Sequence, residues 1–327
     1  MSTDGGLPGA EGGAEGPDGA TTAPDGSAPK GDGGGTGSLQ TKTYEGRQVL
    51  VYVPAGYAHG TAAPLVLMLH GCTQNPSDFE AGTQMDLQAD TGGFLVAYPA
   101  EPSSANIEAC WNWFLPADQA RGSGEPQLLA SIVADVGKDF TVDPKRTFAA
   151  GLSAGAAMAV VLAATYPDVF AAVAVHSGLE YQAATDATSA LNAASSGGPN
   201  PTTQGDLAFT AMGAQARPVP VIVFHGDADS VVNLTNGQQV VAQWSTTDTR
   251  ASATVGPAAS TTGTAGGKSF THTTYANGST AASLLELYVV HGMGHAWSGG
   301  SSAGSFTDPA APDASALIWQ FFATHGR

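Results

Sequence analysis

A chain of 327 residues is long enough for one large domain or two smaller ones. Its formal net charge of −17, with only 11 Lys and Arg, argues against a nucleic-acid partner or an anionic membrane surface, both of which are held through basic patches. No apolar run approaches the ~18 residues of a membrane span, so no membrane span is expected.

Residues 1–38 are rich in Gly, Ala, Pro and Asp and almost free of large apolar side chains. Such a segment buries too little surface to offset its ordering entropy, which predicts a disordered acidic tail or linker. It opens without a basic n-region or an apolar h-region, so no signal peptide is visible. Few Lys and many Thr, Ser, Asn and Gly nevertheless suit an exported protein.

The domain is expected over residues 39–327, with order from about Thr43. Residues 48–54 read as an early strand. The continuous apolar runs 64–69 and 94–99 suit strands buried on both faces. Apolar residues at helical spacing (Leu128, Leu129, Ile132, Val133, Val136) predict a crossover helix over about 127–140. Further strands are expected at 147–150, 171–176, 219–224 and 284–290, and a closing helix at about 314–324. Strands alternating with helices give an α/β protein, a mostly parallel sheet with helices on both faces. Two stretches, 183–213 and 251–278, lack periodicity and read as surface excursions of the kind that often border active sites.

Gly151-Leu152-Ser153-Ala154-Gly155 lies between the strand at 147–150 and an apolar helical run from Ala156. Strand, G-x-S-x-G, helix is the pattern of a nucleophile elbow. A serine on so sharp a turn needs neighbours without side chains, because strand and helix pass close at positions 151 and 155. The adjoining helix N-terminus favours oxyanion charge. Ser153 is therefore the candidate nucleophile.

In this fold an acid and then a base follow the serine, each at a strand end. His225-Gly226-Asp227-Ala228-Asp229 follows the strand at 219–224. Asp229 is the preferred acid, because a short turn would let it point back toward a histidine, and Asp227 is the alternative. His291-Gly292-Met293-Gly294-His295-Ala296-Trp297 follows the last strand. His295, beyond both glycines, is preferred as base over His291. His59, His272 and His325 read as surface residues and His176 as packing at a strand end. No pair has metal-ligand spacing, so neither a metal nor a cofactor is expected.

An oxyanion hole needs two backbone N–H donors. Ala154, next after the serine, supplies one. The other is expected from His70-Gly71-Cys72-Thr73-Gln74-Asn75, with Cys72 preferred and Gly71 or Thr73 as alternatives. Cys110-Trp111-Asn112-Trp113-Phe114 places two tryptophans beside a cysteine, and Trp297 lies two residues past His295. Trp111, Trp113 and Trp297 suggest an aromatic, substrate-binding rim suited to an apolar ester. The two cysteines, Cys72 and Cys110, either pair or stay free; paired, they would staple the tryptophan loop to the oxyanion loop.

These motifs together resemble the poly(3-hydroxybutyrate) depolymerase-type esterases of the α/β-hydrolase fold, relatives of the feruloyl and acetylxylan esterases of carbohydrate esterase family 1. The resemblance runs from about Thr43 to the C-terminus, and Phe306-Thr307-Asp308-Pro309 leans toward the depolymerase branch. It implies a Ser153–Asp229–His295 triad, an oxyanion hole near Cys72 and Ala154, a Cys72–Cys110 disulfide and an exported or cell-envelope enzyme. The implied activity is a serine carboxylesterase acting on polyester or small esters. The alternatives are a feruloyl or acetylxylan esterase, an aromatic polyester hydrolase, or, from another class, a non-catalytic hydrolase-fold binding protein. A monomer is expected. Two departures stand out: Ala156 replaces a second glycine after the elbow, and Ser298 replaces a proline after the site tryptophan.

Overall fold

The computed structural model describes residues 37–278 and 282–327. The expected tail lies almost wholly outside the described residues. The described residues open with β1 (Ser38–Tyr44), β2 (Arg47–Val53) and β3 (Ala63–Leu69), then α1 (Pro76–Thr83), α2 (Met85–Gly92) and β4 (Leu95–Pro99). There follow α3 (Gly124–Asp139), β5 (Val142–Leu152), α4 (Ala154–Thr165), β6 (Val173–His176), α5 (Ala187–Ser196), α6 (Pro201–Met212) and β7 (Val221–Gly226). The rest comprises α7 (Leu234–Arg250), β8 (Val255–Ala265), β9 (Lys268–Asn277), β10 (Ser283–Val290), the short β11 (Trp297–Ser298) and β12 (Thr307–Asp308), and α8 (Ala314–Ala323).

Among the described residues, ten strands form one sheet in the order β1-β2-β4-β3-β5-β6-β7-β10-β9-β8. The six from β4 to β10 run parallel, and antiparallel strands close both edges. The run at 64–69 shows why the centre is parallel. Every residue of β3 is buried. Leu65, Leu67 and Leu69 join one core layer with α3 and α4, while Val66 and Met68 join the opposite layer with Phe79, Ile318 and Phe322. A strand apolar on both faces needs helices on both sides. α4 is buried along its whole length, as its all-round apolar sequence requires.

The two excursions are more ordered than the sequence suggests. Residues 183–213 hold α5 and α6. Asp186 caps α5 with a reciprocal Ser189 capping box, and the Asn200 side chain caps α6. Their buried faces are small: Ala190 and Ala193 on α5, and Gln204, Gly205, Ala208 and Met212 on α6. Alanine faces in an Ala- and Ser-rich stretch leave little hydrophobic contrast to read. Residues 251–278 hold the β8–β9 hairpin, which extends the sheet. Its β-branched threonines favour strand, but both faces are largely polar, so there is no apolar alternation.

Candidate active site

β5 ends at Leu152 and α4 begins at Ala154, leaving Ser153 alone on the turn between them. Its φ of 57° and ψ of −119° lie where a non-glycine residue is strained. The flanking glycines allow the turn. A Cβ on Gly151 would stand 2.4 Å from the Gly155 carbonyl carbon, and one on Gly155 would stand 2.1 Å from Leu69 O. The second contact brings the start of α4 against the end of β3, where the candidate oxyanion loop begins. A Cβ on Gly71 would be 3.5 Å from Ser153 Cβ, so that loop lies directly against the serine. Ser153 N–H donates to His176 O at 2.9 Å.

The acid and base candidates pair across the ends of β7 and β10. His295 Nδ1–H donates to Asp229 Oδ2 at 2.8 Å, and Asp229 Oδ1 accepts the N–H groups of Val231 and Val232, each at 2.9 Å. Burial pushes the Asp229 carboxyl upward, but the His295 bond and charge and the two backbone donors outweigh it and hold it below the ordinary carboxylate range. Gly226 is required here, since a Cβ would sit 2.1 Å from Met293 O on the histidine loop. The alternatives form a pair of their own, with His291 Nδ1–H donating to Asp227 Oδ2 at 2.8 Å.

The three N–H groups considered for the loop after β3 differ in what they hold. Gly71 N–H donates to Gln74 Oε1 at 2.9 Å and Thr73 N–H to Glu108 O at 2.6 Å. Among the described residues this leaves the Cys72 N–H of the three. Ala154, as the first residue of α4, has no acceptor within its own helix. His70 anchors the loop: its Nε2 accepts Glu101 N–H at 3.1 Å, so Nδ1 carries the proton and donates to Gly71 O at 2.9 Å. Burial lowers its pKa and keeps it neutral. A Cys72–Cys110 disulfide, Cα–Cα 4.2 Å, joins this loop to the tryptophan loop. Glu125 fixes the far side of the tryptophan loop, with Oε2 on Asn112 N–H at 2.7 Å and Oε1 on Asn112 Nδ2 at 2.6 Å.

The tryptophans are not an exposed rim. Trp111 is 0%, Trp113 6% and Trp297 1% exposed. Trp297 is wedged between Phe79 and the His176 ring, and its Nε1–H donates to Ser315 Oγ at 3.1 Å. Trp111 tilts against His70. They pack the scaffold behind the loops, as large aromatic side chains do when a core is available. The exposed aromatic is Phe306, 44% exposed, edge-on to His295 at a centroid distance of 6.3 Å. Its place in the depolymerase-like stretch 306–309 was the only sequence signal for it.

His176, read from sequence as packing at a strand end, does more. It is buried between Phe224 and Trp297, and its Nε2 accepts Ser298 N–H at 2.9 Å. One residue thus touches the Ser153 turn through its carbonyl and the loop that carries His295 through its ring. Proline at 298 would have no N–H to give, so the Ser298 departure is part of this chain's own wiring. Ala156 is fitted likewise: Gly178 faces it, and a Cβ there would come within 2.7 Å of Ala156 Cβ. His59 is exposed as expected. His272 and His325 are half-buried, His272 with Nε2 2.8 Å from Glu286 Oε2 and its ring stacked on Tyr288.

Residues 48–265 match the family model described as esterase PHB depolymerase. The chain is 38% identical over 252 residues to poly(3-hydroxyalkanoate) depolymerase C of Paucimonas lemoignei, covering 76% of this chain and 58% of that protein. It is 33% identical over 206 residues to feruloyl esterase B of Thermothelomyces thermophilus, covering 61% and 69%. The chain therefore spans under two thirds of the depolymerase's length. Among solved structures, an acetyl xylan esterase from Aspergillus awamori superposes with a TM-score of 0.68 at 22% identity, over 88% of this chain and 99% of the other. That likeness shows the fold, the α/β-hydrolase arrangement.

Proposed function

The chain belongs to the PHB depolymerase family of esterases, and from that premise we propose that it is a serine carboxylesterase cleaving polyester or oligoester bonds through an acyl-enzyme. Ser153 Oγ attacks the ester carbonyl while His295 Nε2 takes its proton and then returns it to the leaving alcohol. Water, activated by the same imidazole, releases the acid. Asp229 holds His295 in the Nδ1–H tautomer and stabilises the imidazolium. The N–H groups of Cys72 and Ala154 receive the oxyanion, each donor contributing roughly 3–4 kcal/mol of barrier lowering.

The observation that carries this reading is the Asp229–His295 bond of 2.8 Å, with the carboxylate's other oxygen tied to two backbone donors. A binding protein on the same fold has no need of an ionised carboxylate bonded to an imidazole, nor of a strained serine at a strand–helix turn. The 38% identity to a named poly(3-hydroxyalkanoate) depolymerase and the exposed Phe306 beside His295 favour an apolar polyester. The similarity to feruloyl esterase B supports the second reading, an aryl or sugar ester. The Cys72–Cys110 disulfide suits an oxidising compartment and so an exported enzyme.

A serine-directed phosphonate should label Ser153, and Ser153→Ala should abolish both labelling and ester turnover while the protein stays folded. Substantial residual turnover in the variant removes Ser153 as nucleophile. Release of 3-hydroxybutyrate from amorphous polymer, compared with ferulate from methyl ferulate, separates the two substrate readings.

A further inference from the structure

Two Asp–His pairs bridge the same two loops. The inner one is Asp229–His295. In the outer one, Asp227 spends both oxygens on the histidine loop, with Oδ2 accepting from His291 Nδ1–H at 2.8 Å and Oδ1 accepting Gly292 N–H at 2.7 Å. The other ring nitrogen, His291 Nε2, accepts from Thr271 Oγ1–H on β9 at 3.0 Å. The result is a Thr271–His291–Asp227 relay that resembles a catalytic arrangement but is anchored to β9, the strand next to the sheet's edge.

We propose that this outer relay sets the alignment of the inner pair, making Asp227 and His291 positioning residues for ester cleavage. The proposal rests on the reading of Asp229 and His295 as acid and base. Between His291 and His295 lie Gly292, Met293 and Gly294, and Gly292 has a φ of +70°. A two-glycine segment cannot hold a ring direction by its own stiffness. What holds it comes from outside. Met293 is fully buried and its carbonyl accepts Ala228 N–H at 3.1 Å, while Lys268 Nζ donates to Gly292 O at 2.7 Å. Asp227 and Ala228 both belong to the turn that carries Asp229, so acid and base loops move as one body.

Stability alone is a poor reason for the outer pair. Its side chains are 41% and 35% exposed, and pairs so exposed contribute little to folding. Alignment is different. The inner bond weakens steeply once its atoms separate or tilt, and misplacement on the ångström scale costs up to about 10²-fold in rate.

The test uses Asp227→Asn, His291→Ala, His291→Asn and the double variant Asp227→Asn/His291→Ala, assayed on a soluble p-nitrophenyl ester. Asp227→Asn and His291→Ala should lower kcat by about 5- to 50-fold with KM changed less than about twofold. The double variant should be no worse than the poorer single, because the pair acts as a unit. His291→Asn, whose amide can replace the Nδ1 donor, should recover part of the loss. Unchanged kcat, a loss carried by KM, independent additive losses, or no recovery in His291→Asn would each overturn the proposal. Ser153→Ala and His295→Ala, run alongside, test the underlying reading separately. If they abolish turnover while the outer variants do not affect it, only the relay falls. If they leave turnover intact, the acid–base assignment falls first.

Discussion

At Asp229 a single carboxylate is pulled in opposite directions, and the balance decides what the site can do. Burial favours the neutral acid, whereas the His295 Nδ1–H, its charge and the N–H groups of Val232 and Val231 favour the anion and prevail. An anion there selects the His295 tautomer whose Nε2 is bare. Asparagine in its place can fill the space but presents an amide, which permits the wrong tautomer. Asp229→Asn should therefore cost about 10³- to 10⁴-fold in kcat, far more than Asp227→Asn. Initial rates on one soluble ester decide it, and the reverse ranking would reassign the acid. The two aspartates stand two residues apart in one Gly-Asp-Ala-Asp turn. Nothing in that spacing tells which histidine each will meet; only the register of β7 beside β10 does.

Among the elements, those legible in the sequence are those whose burial is two-sided and strong. β3 and β4 are unbroken apolar runs, and the elbow between β5 and α4 announces itself by two glycines that contact would forbid to any other residue. α1 and α2 escaped reading because each is eight residues long and buries a single large apolar side chain, Phe79 on α1 and Met85 on α2. α5 and α6 escaped because caps and alanine faces, not leucines, hold them. The tryptophans misled for a related reason: an aromatic next to a candidate catalytic loop can face the substrate or the scaffold, and for Trp297 the choice depends on Phe79 and His176, distant in sequence. The loop after β3 shows how such long-range ties work. Its positive-φ Thr73 is held by Glu108 O and by the bridge from Cys72 to Cys110, 38 residues away. Loop-closure entropy puts that bridge at about 4 kcal/mol. Reduction under native conditions should lower the melting temperature by about six degrees and, if the loop presents an N–H to the transition state as proposed, lower kcat more than it raises KM. A melting temperature unchanged by reductant would show that the bridge contributes nothing.

Over the whole molecule, an acidic protein has buried several of its acids without cations to match. Glu125 is pushed up to about 8 by burial and then by the charge of Glu101, Asp86 to about 8 by burial first, and Glu180 to about 8 by burial alone. Glu180 gives the cleanest experiment. It is 1% exposed, neither oxygen has a hydrogen-bond partner among the described residues, and it lies against Gly198 between α5 and α6. Its folded pKa is raised above the unfolded value of 4.5. The fold thus retains a proton that the unfolded chain releases, and this contribution to stability is complete below about pH 4.5 and lost as the pH rises through about 8. Other groups titrate in the same range, since the buried His70, His176 and His225 are lowered and destabilise the fold as the pH falls below 6.5. The difference between wild type and Glu180→Gln removes them, because both proteins share them. At pH 4.5 the acid and the amide are equally neutral in the fold, and the two should melt together. By pH 8.5 the unfolded wild type gains the free energy of ionising Glu180 and the variant does not, so Glu180→Gln should melt several degrees higher. Melting curves at four pH values between 4.5 and 8.5 measure the gap. A gap that stays constant across that range would mean that Glu180 titrates as it does in water.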